Sequence, residues 1–170
     1  SSPVPLLTDW GDAVDVSCFH GREAELSQLT EWILTDRCRL VGIFGMGGIG
    51  KTALSIRLAQ SLSQQINQHQ SNQHQPTFSY ILWRSLRNAP PLSDLITDLI
   101  QTLSPQQAAG LPQNLDQQIS HLLNYLRQHR CLIVLDNGET VMSQSSSGED
   151  LAGYDAYESF WQQIGQTEHQ

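Results

Sequence analysis

The chain has 170 residues, of which 39% are apolar and 15% charged, and its formal net charge is −8. That length suits one domain with a real core, and the longest apolar stretch is a handful of residues against the ~20 needed to cross a bilayer, so a membrane span is excluded. Seventeen acidic residues against nine basic ones repel phosphate backbones over most of the surface, which excludes broad nucleic-acid binding.

From the N-terminus, Ser1 to Leu7 has neither a basic n-region nor an apolar h-region, so no secretory signal is read there. Residues 1–16, with two prolines and little periodicity, read as a linker or an arm packed on the domain edge, ahead of a domain over 17–170. From Arg22 to Thr35, Leu26, Leu29 and Ile33 recur at helical spacing with Trp32 beside them. Arg39 to Phe44 carries Leu40, Val41, Ile43 and Phe44 and reads as a strand buried on both faces. Gly45 to Gly50 holds four glycines in six residues and cannot continue that strand, so it is a loop, and Lys51 to Ile66 resumes helical spacing through Leu54, Leu58 and Leu62. Gln64 to Gln75 is dominated by Gln, Asn and His, cannot offset its ordering entropy, and is expected to be a flexible insertion. Its His69 and His74 have no cysteine or acid nearby and are not read as metal ligands.

Phe78 to Arg84 is rich in aromatic and β-branched residues and predicts a second strand. After Pro90 and Pro91, which suit a helix start, Leu92, Leu95, Ile96, Leu99, Ile100 and Leu103 form an i, i+3, i+4, i+7 stripe. Leu115, Ile119, Leu122, Leu123 and Leu126 form another, capped near Asn114 or Asp116. Cys131 to Leu135 predicts a third strand leading into Asp136; Ser143 to Gly148 is a polar loop, and Asp150 to Ile164 a last amphipathic helix. The three cysteines, Cys18, Cys38 and Cys131, show no paired spacing, so neither a disulfide framework nor a zinc site is read, and the expected compartment is the reducing cytoplasm. Strands alternating with helices predict an α/β sandwich around a mainly parallel sheet.

Gly45-Met46-Gly47-Gly48-Ile49-Gly50-Lys51-Thr52 fits GxxxxGK[ST] at every fixed position. Composition alone yields such a match in a chain this long with a probability of roughly 1%. An apolar run before it and a helical pattern after it are the context the motif requires. Each residue type has its own task. Gly45, Gly47, Gly48 and Gly50 allow positive φ and bring several N–H groups of the loop, Ile49 included, towards one anion, while the following helix adds its positive N-terminal end. Lys51, the single lysine beside eight arginines, neutralises β- and γ-phosphate charge as a mobile cation. The Thr52 hydroxyl is a candidate Mg²⁺ ligand. The acid that ends the apolar run 131–135, Asp136, lies where a carboxylate at the C-terminal edge of a parallel sheet meets ligand, and would hold Mg²⁺ directly or through water. Asn137 stands where many such ATPases place a second acid, and Asn cannot take a proton. Glu139, the nearest carboxylate, is either the group that orients the attacking water or a solvated loop acid. Hydrolysis is therefore expected to be slow or dependent on a partner.

These residues resemble the NB-ARC group of STAND ATPases. Phe19-His20-Gly21-Arg22-Glu23 is similar to the hhGRE box that opens that group's nucleotide-binding domain, Val41 to Thr52 to its phosphate loop, and Leu132 to Asp136 to its second kinase motif. Asp9-Trp10-Gly11-Asp12 resembles the lead-in of bacterial multidomain members, which often carry repeat arrays downstream. The resemblance implies a P-loop NTPase three-layer sandwich, incomplete in this chain. It also implies a switch with ADP held at rest, ATP exchanged in on stimulation with Mg²⁺, and oligomerisation of the ATP form, so that self-association or a protein partner would act through domains absent from 1–170. Because the backbone near the hhGRE box contacts adenine in that family, Phe19, His20 and Arg22 are candidate base-side contacts; for Arg22 the alternative is a salt bridge within its own helix. The family's further strand, which lies between the phosphate-loop strand and the Walker-B strand and ends in an Arg that senses the γ-phosphate, is not found before Gln170. The stretches 39–44 and 131–136 are then expected to lack a shared neighbour, and the chain to be a poorly stable fragment. Two other functions stay open: a nucleotide-binding scaffold that does not hydrolyse, which Asn137 allows, and a P-loop small-molecule kinase.

Overall fold

The computed structural model describes residues 6–46, 48–69, 78–106, 110–142 and 151–166. Its elements in chain order are β1 (Leu7–Asp9), α1 (Glu23–Leu34), α2 (Lys51–His69), β2 (Tyr80–Ser85), α3 (Leu92–Leu103), α4 (Leu115–Gln128), β3 (Cys131–Asp136), α5 (Glu139–Met142) and α6 (Leu151–Gln166). They form two compact units, one of residues 1–84 with 131–136 and the other of 85–130 with 137–170.

The first unit is built on a three-stranded sheet in the order β1-β2-β3. β1 runs parallel to β2, with Leu7 opposite Tyr80, Thr8 opposite Ile81 and Asp9 opposite Leu82. The segment 1–16 thus contributes an edge strand. It is fastened by chemistry specific to its sequence: Asp9 accepts from the Gly11 N–H at 3.0 Å, and its other carboxylate oxygen lies 3.1 Å from the Arg84 guanidinium, which also donates to the Trp83 carbonyl at 2.9 Å. The Gly11 N–H holds the Asp9 carboxyl below its ordinary value, with Arg84 adding to that effect against the opposing pull of burial.

α2 is the hub of this unit. Leu54, Leu58, Leu62 and Ile66 recur at helical spacing and meet Leu29 and Ile33 of α1 together with Ile81 of β2; each such side chain contributes on the order of 2 kcal/mol of burial. A second cluster joins Ile56 of α2 to Trp83 and Val16. α2 runs three residues beyond the predicted end, so residues 64–69 of the expected insertion are helical, as buried Ile66 and the good helix propensity of Gln permit. Residues 70–77, including His74, lie outside the described residues, as does the His69 side chain.

The expected strand at 39–44 is not one: these residues have no regular secondary structure. Val41 and Ile43 pack partly against the core, while Leu40 is 51% and Phe44 85% exposed, so one face is buried and not two. A strand needs a neighbour to take up its N–H and C=O groups, and among the described residues none pairs with this stretch.

The second unit is helical. α3 buries Leu92, Leu95, Ile96, Leu99, Ile100 and Leu103, the whole predicted stripe. α4 buries Ile119, Leu122, Leu123 and Leu126, and starts at Asn114, whose side chain accepts from the N–H groups of Asp116 and Gln117. The Tyr125 hydroxyl donates to the Leu103 carbonyl at 2.7 Å, closing the open C-terminal end of α3 against α4. Tyr157 of α6 donates to the Pro90 carbonyl at 2.8 Å, and burial, with Asp94 nearby, pushes its phenol up to about 12. The polar loop 143–148 falls outside the described residues, and none of the described helices is long and apolar enough to cross a membrane.

Candidate phosphate-binding site

The site begins where the chain leaves Phe44. Gly48 (φ 81°) and Gly50 (φ 85°) take left-handed conformations that a side chain would resist, and the loop they shape delivers the chain directly into α2 at Lys51. The α2 helix has no acidic residue in its first turn, so its positive end is left uncompensated. Gly47 lies outside the described residues. The Lys51 ammonium reaches back over the loop and donates to the carbonyls of Gly45 at 2.7 Å and Met46 at 3.1 Å. Of its three donors two are thus spent on the loop itself, and the cation is held where an incoming anion would compete for it.

The second half of the site is the contact between the first turn of α2 and the end of β3. Asp136, only 8% exposed, accepts a 2.7 Å hydrogen bond from the Thr52 hydroxyl, joining residues 84 apart in sequence. The Thr52 oxygen keeps its lone pairs while its proton faces Asp136. This oxygen-only pair, one hydroxyl and one carboxylate, fits Mg²⁺, which takes few protein ligands and completes its shell with water and phosphate oxygens. Beneath it a buried relay fixes the helix start: Trp83 Nε1–H donates to the Ser55 hydroxyl at 3.1 Å, and that hydroxyl donates to the Thr52 carbonyl at 2.9 Å. Residue-type reasoning had no signal for this relay, because a Trp in a strand and a Ser in a helix are unremarkable separately.

Arg22 pairs within its own helix, as one of the two expectations had it, and makes a further contact that neither anticipated. It is the residue before α1 and has φ 61°, a left-handed conformation that costs a non-glycine residue on the order of 1 kcal/mol. Its guanidinium donates to the Ile49 carbonyl at 2.5 Å, so the hhGRE segment is tied to the phosphate loop 27 residues away. It also lies 3.9 Å from the Glu25 carboxylate, the within-helix pairing weighed as the alternative, at the outer limit of an ion pair. The Phe19 ring packs against both core clusters and its N–H donates to the Val16 carbonyl at 3.0 Å; His20 is exposed.

Asn137 follows Asp136 with φ 57°, and its side-chain carbonyl accepts from the Ser85 hydroxyl at 3.2 Å. Glu139 opens the four-residue helix α5 in the second unit. Cys131, at the start of β3, is largely shielded from water, which pushes its thiol up to about 12.

Residues 22–143, well over half of the chain, match the NB-ARC domain family. The chain is 48% identical over 166 residues to a WD repeat-containing protein of Nostoc sp. (strain PCC 7120), a match covering 96% of this chain and 13% of that protein. It is 21% identical over 117 residues to a probable disease resistance protein of Arabidopsis thaliana, covering 69% of this chain and 15% of the relative. The chain therefore spans about one-seventh of the length of either relative. No solved structure matches it significantly. The chain belongs to the NB-ARC domain family and is a nucleotide-binding signal-transduction module of the P-loop NTPase class.

Proposed function

We propose that this domain is the nucleotide-operated part of an ATP/ADP switch that hydrolyses ATP slowly in the presence of Mg²⁺ and couples the exchange to oligomerisation. The single observation that carries the reading is the Thr52 hydroxyl held on the buried Asp136 carboxylate one residue after Lys51. A triphosphate would take the ammonium from the Gly45 and Met46 carbonyls, and the amides of the Gly45–Gly50 loop and the positive end of α2 would hold its phosphates. Mg²⁺, held by Thr52 and by Asp136 directly or through water, would offset charge on the β- and γ-phosphates. Adenine would lie against the backbone of the segment Phe19–Arg22, for which the hydrogen bond from Arg22 to Ile49 is support. Glu139 is the carboxylate assigned to orient the attacking water. Self-association or partner binding would run through domains outside 1–170, of the kind named by the repeats of the Nostoc relative.

The alternative is a scaffold that binds nucleotide and does not turn it over, favoured by Asn137: its amide has no proton-accepting capacity at neutral pH and its carbonyl is engaged by Ser85. Phosphate release and particle size, measured on the full-length protein with Mg-ATP and with ADP, separate the two. A switch gives slow release that Glu139→Gln reduces and a larger particle with ATP. Tight binding with no release and no change of size leaves the scaffold.

A further inference from the structure

We infer that Arg22 is a positioning residue for the phosphate loop: its guanidinium sets the orientation of the Ile49–Gly50 peptide and through it the amide offered to phosphate. This rests on the nucleotide-binding reading and gives Arg22 a different task from contact with the base. The Ile49 carbonyl accepts from Arg22, and no peptide bond among the described residues is cis. In a trans peptide the C=O and the following N–H point in opposite directions, so fixing the Ile49 carbonyl towards Arg22 turns the Gly50 N–H away from it. The other end of Gly50 is fixed as well: its carbonyl accepts from the Leu54 N–H at 2.9 Å, the first bond of the α2 helical ladder. With the Gly50–Lys51 peptide held by the helix, the Ile49–Gly50 peptide in front of it is held by the Arg22 side chain.

Without Arg22, positive φ at Gly48 and Gly50 would leave this peptide free to flip, because glycine populates both signs of φ with similar ease. A donor array that must reorganise on binding gives up affinity that a prearranged one keeps. The backbone of Arg22 points the same way. A left-handed residue before a helix is most easily a glycine, yet here an arginine bears the strain and places its long side chain across to the loop; such outliers collect where a side chain has a task. Lysine is a poor substitute, since its compact ammonium on a flexible stem lacks the planar fork that holds one orientation.

The test uses the full-length protein and calorimetric competition with two ligands, ADP and inorganic pyrophosphate, on wild type, Arg22→Gly and Arg22→Lys. Arg22→Gly keeps the positive φ without strain, so it leaves folding intact, which the thermal melt checks. Arg22→Gly is expected to weaken ADP by about 10-fold and pyrophosphate by the same factor, with Arg22→Lys in between, as for loss of one charge-assisted hydrogen bond at a half-exposed site. A loss confined to ADP assigns Arg22 to the base and overturns the inference, as does unchanged affinity for both. Failure of the wild type to bind either ligand overturns the nucleotide reading and the inference with it.

Discussion

Two apolar stretches of this chain meet opposite fates. The stripe of α3 is buried to the last residue, none of its six members more than 5% exposed, whereas the run entering the phosphate loop leaves Leu40 half and Phe44 almost wholly in water. The difference lies in where each backbone finds its hydrogen bonds. A helix satisfies its own ladder and asks its surroundings only to cover one face, which α4 does for α3. An extended stretch depends on a neighbour for every N–H and C=O, and residues 39–44 have none among the described residues. Helical periodicity is a local promise. Strand character is a contract with another part of the chain.

The largest effect that sharpens this contrast is expected in α3. Leu99→Ala, at a side chain 1% exposed, should lower the opening free energy of the α3 and α4 amides by about 3 kcal/mol in hydrogen exchange; a change under about 1 kcal/mol would show the stripe to be loosely packed. Next comes Lys51→Ala, which should weaken ATP by about 100-fold with no change in exchange anywhere in α3, since this ammonium serves the loop and not a core. Asn114→Ala removes the cap on α4 and should cost about 1 kcal/mol, seen in the exchange of the first-turn amides. Smaller still is a pH effect at the edge strand. The Asp9 carboxyl lies below its ordinary value of 3.8 when folded, so it stabilises β1 above that pH and the contribution fades as pH falls through the lowered folded value. Limited proteolysis of the N-terminal segment between about pH 5 and pH 3 should follow that fade, and Asp9→Asn should flatten it; because Asp9 is 43% exposed the effect is small. Phe44→Ser, at 85% exposure, should change stability by less than about 0.5 kcal/mol, and a larger loss would mean the run is covered after all.

How much of this was legible beforehand follows from the same distinction. The loop that leads into α2 could be read because positive φ demands glycine at particular positions, and Gly48 and Gly50 take it immediately before the helix that starts at Lys51. Helices α1, α2, α3, α4 and α6 could be read because their apolar periods are written within each segment. Asp136 was placed by the apolar run before it, and its hydrogen bond to Thr52 joins the two motifs. What could not be read is what depends on distant partners. Leu7–Asp9 is too short for a periodic signal and becomes a strand only against Tyr80–Leu82. Residues 39–44 carry strand composition and lack a strand partner among the described residues. Arg22 carried a helix-pair signal to Glu25, while its contact with Ile49 has no mark in the spacing at all.

On the proposed function, the loop from Gly45 to Thr52, with Asp136 behind it, grips the phosphates of an adenine nucleotide. Titrating ADP and then Mg-ATP into the full-length protein in a calorimeter tests it most directly, with Lys51→Ala run alongside. Heat of binding in the wild type, with an affinity about 100-fold weaker in the variant, is the expected result. No heat from the intact, folded protein, or equal affinity in both, would contradict it.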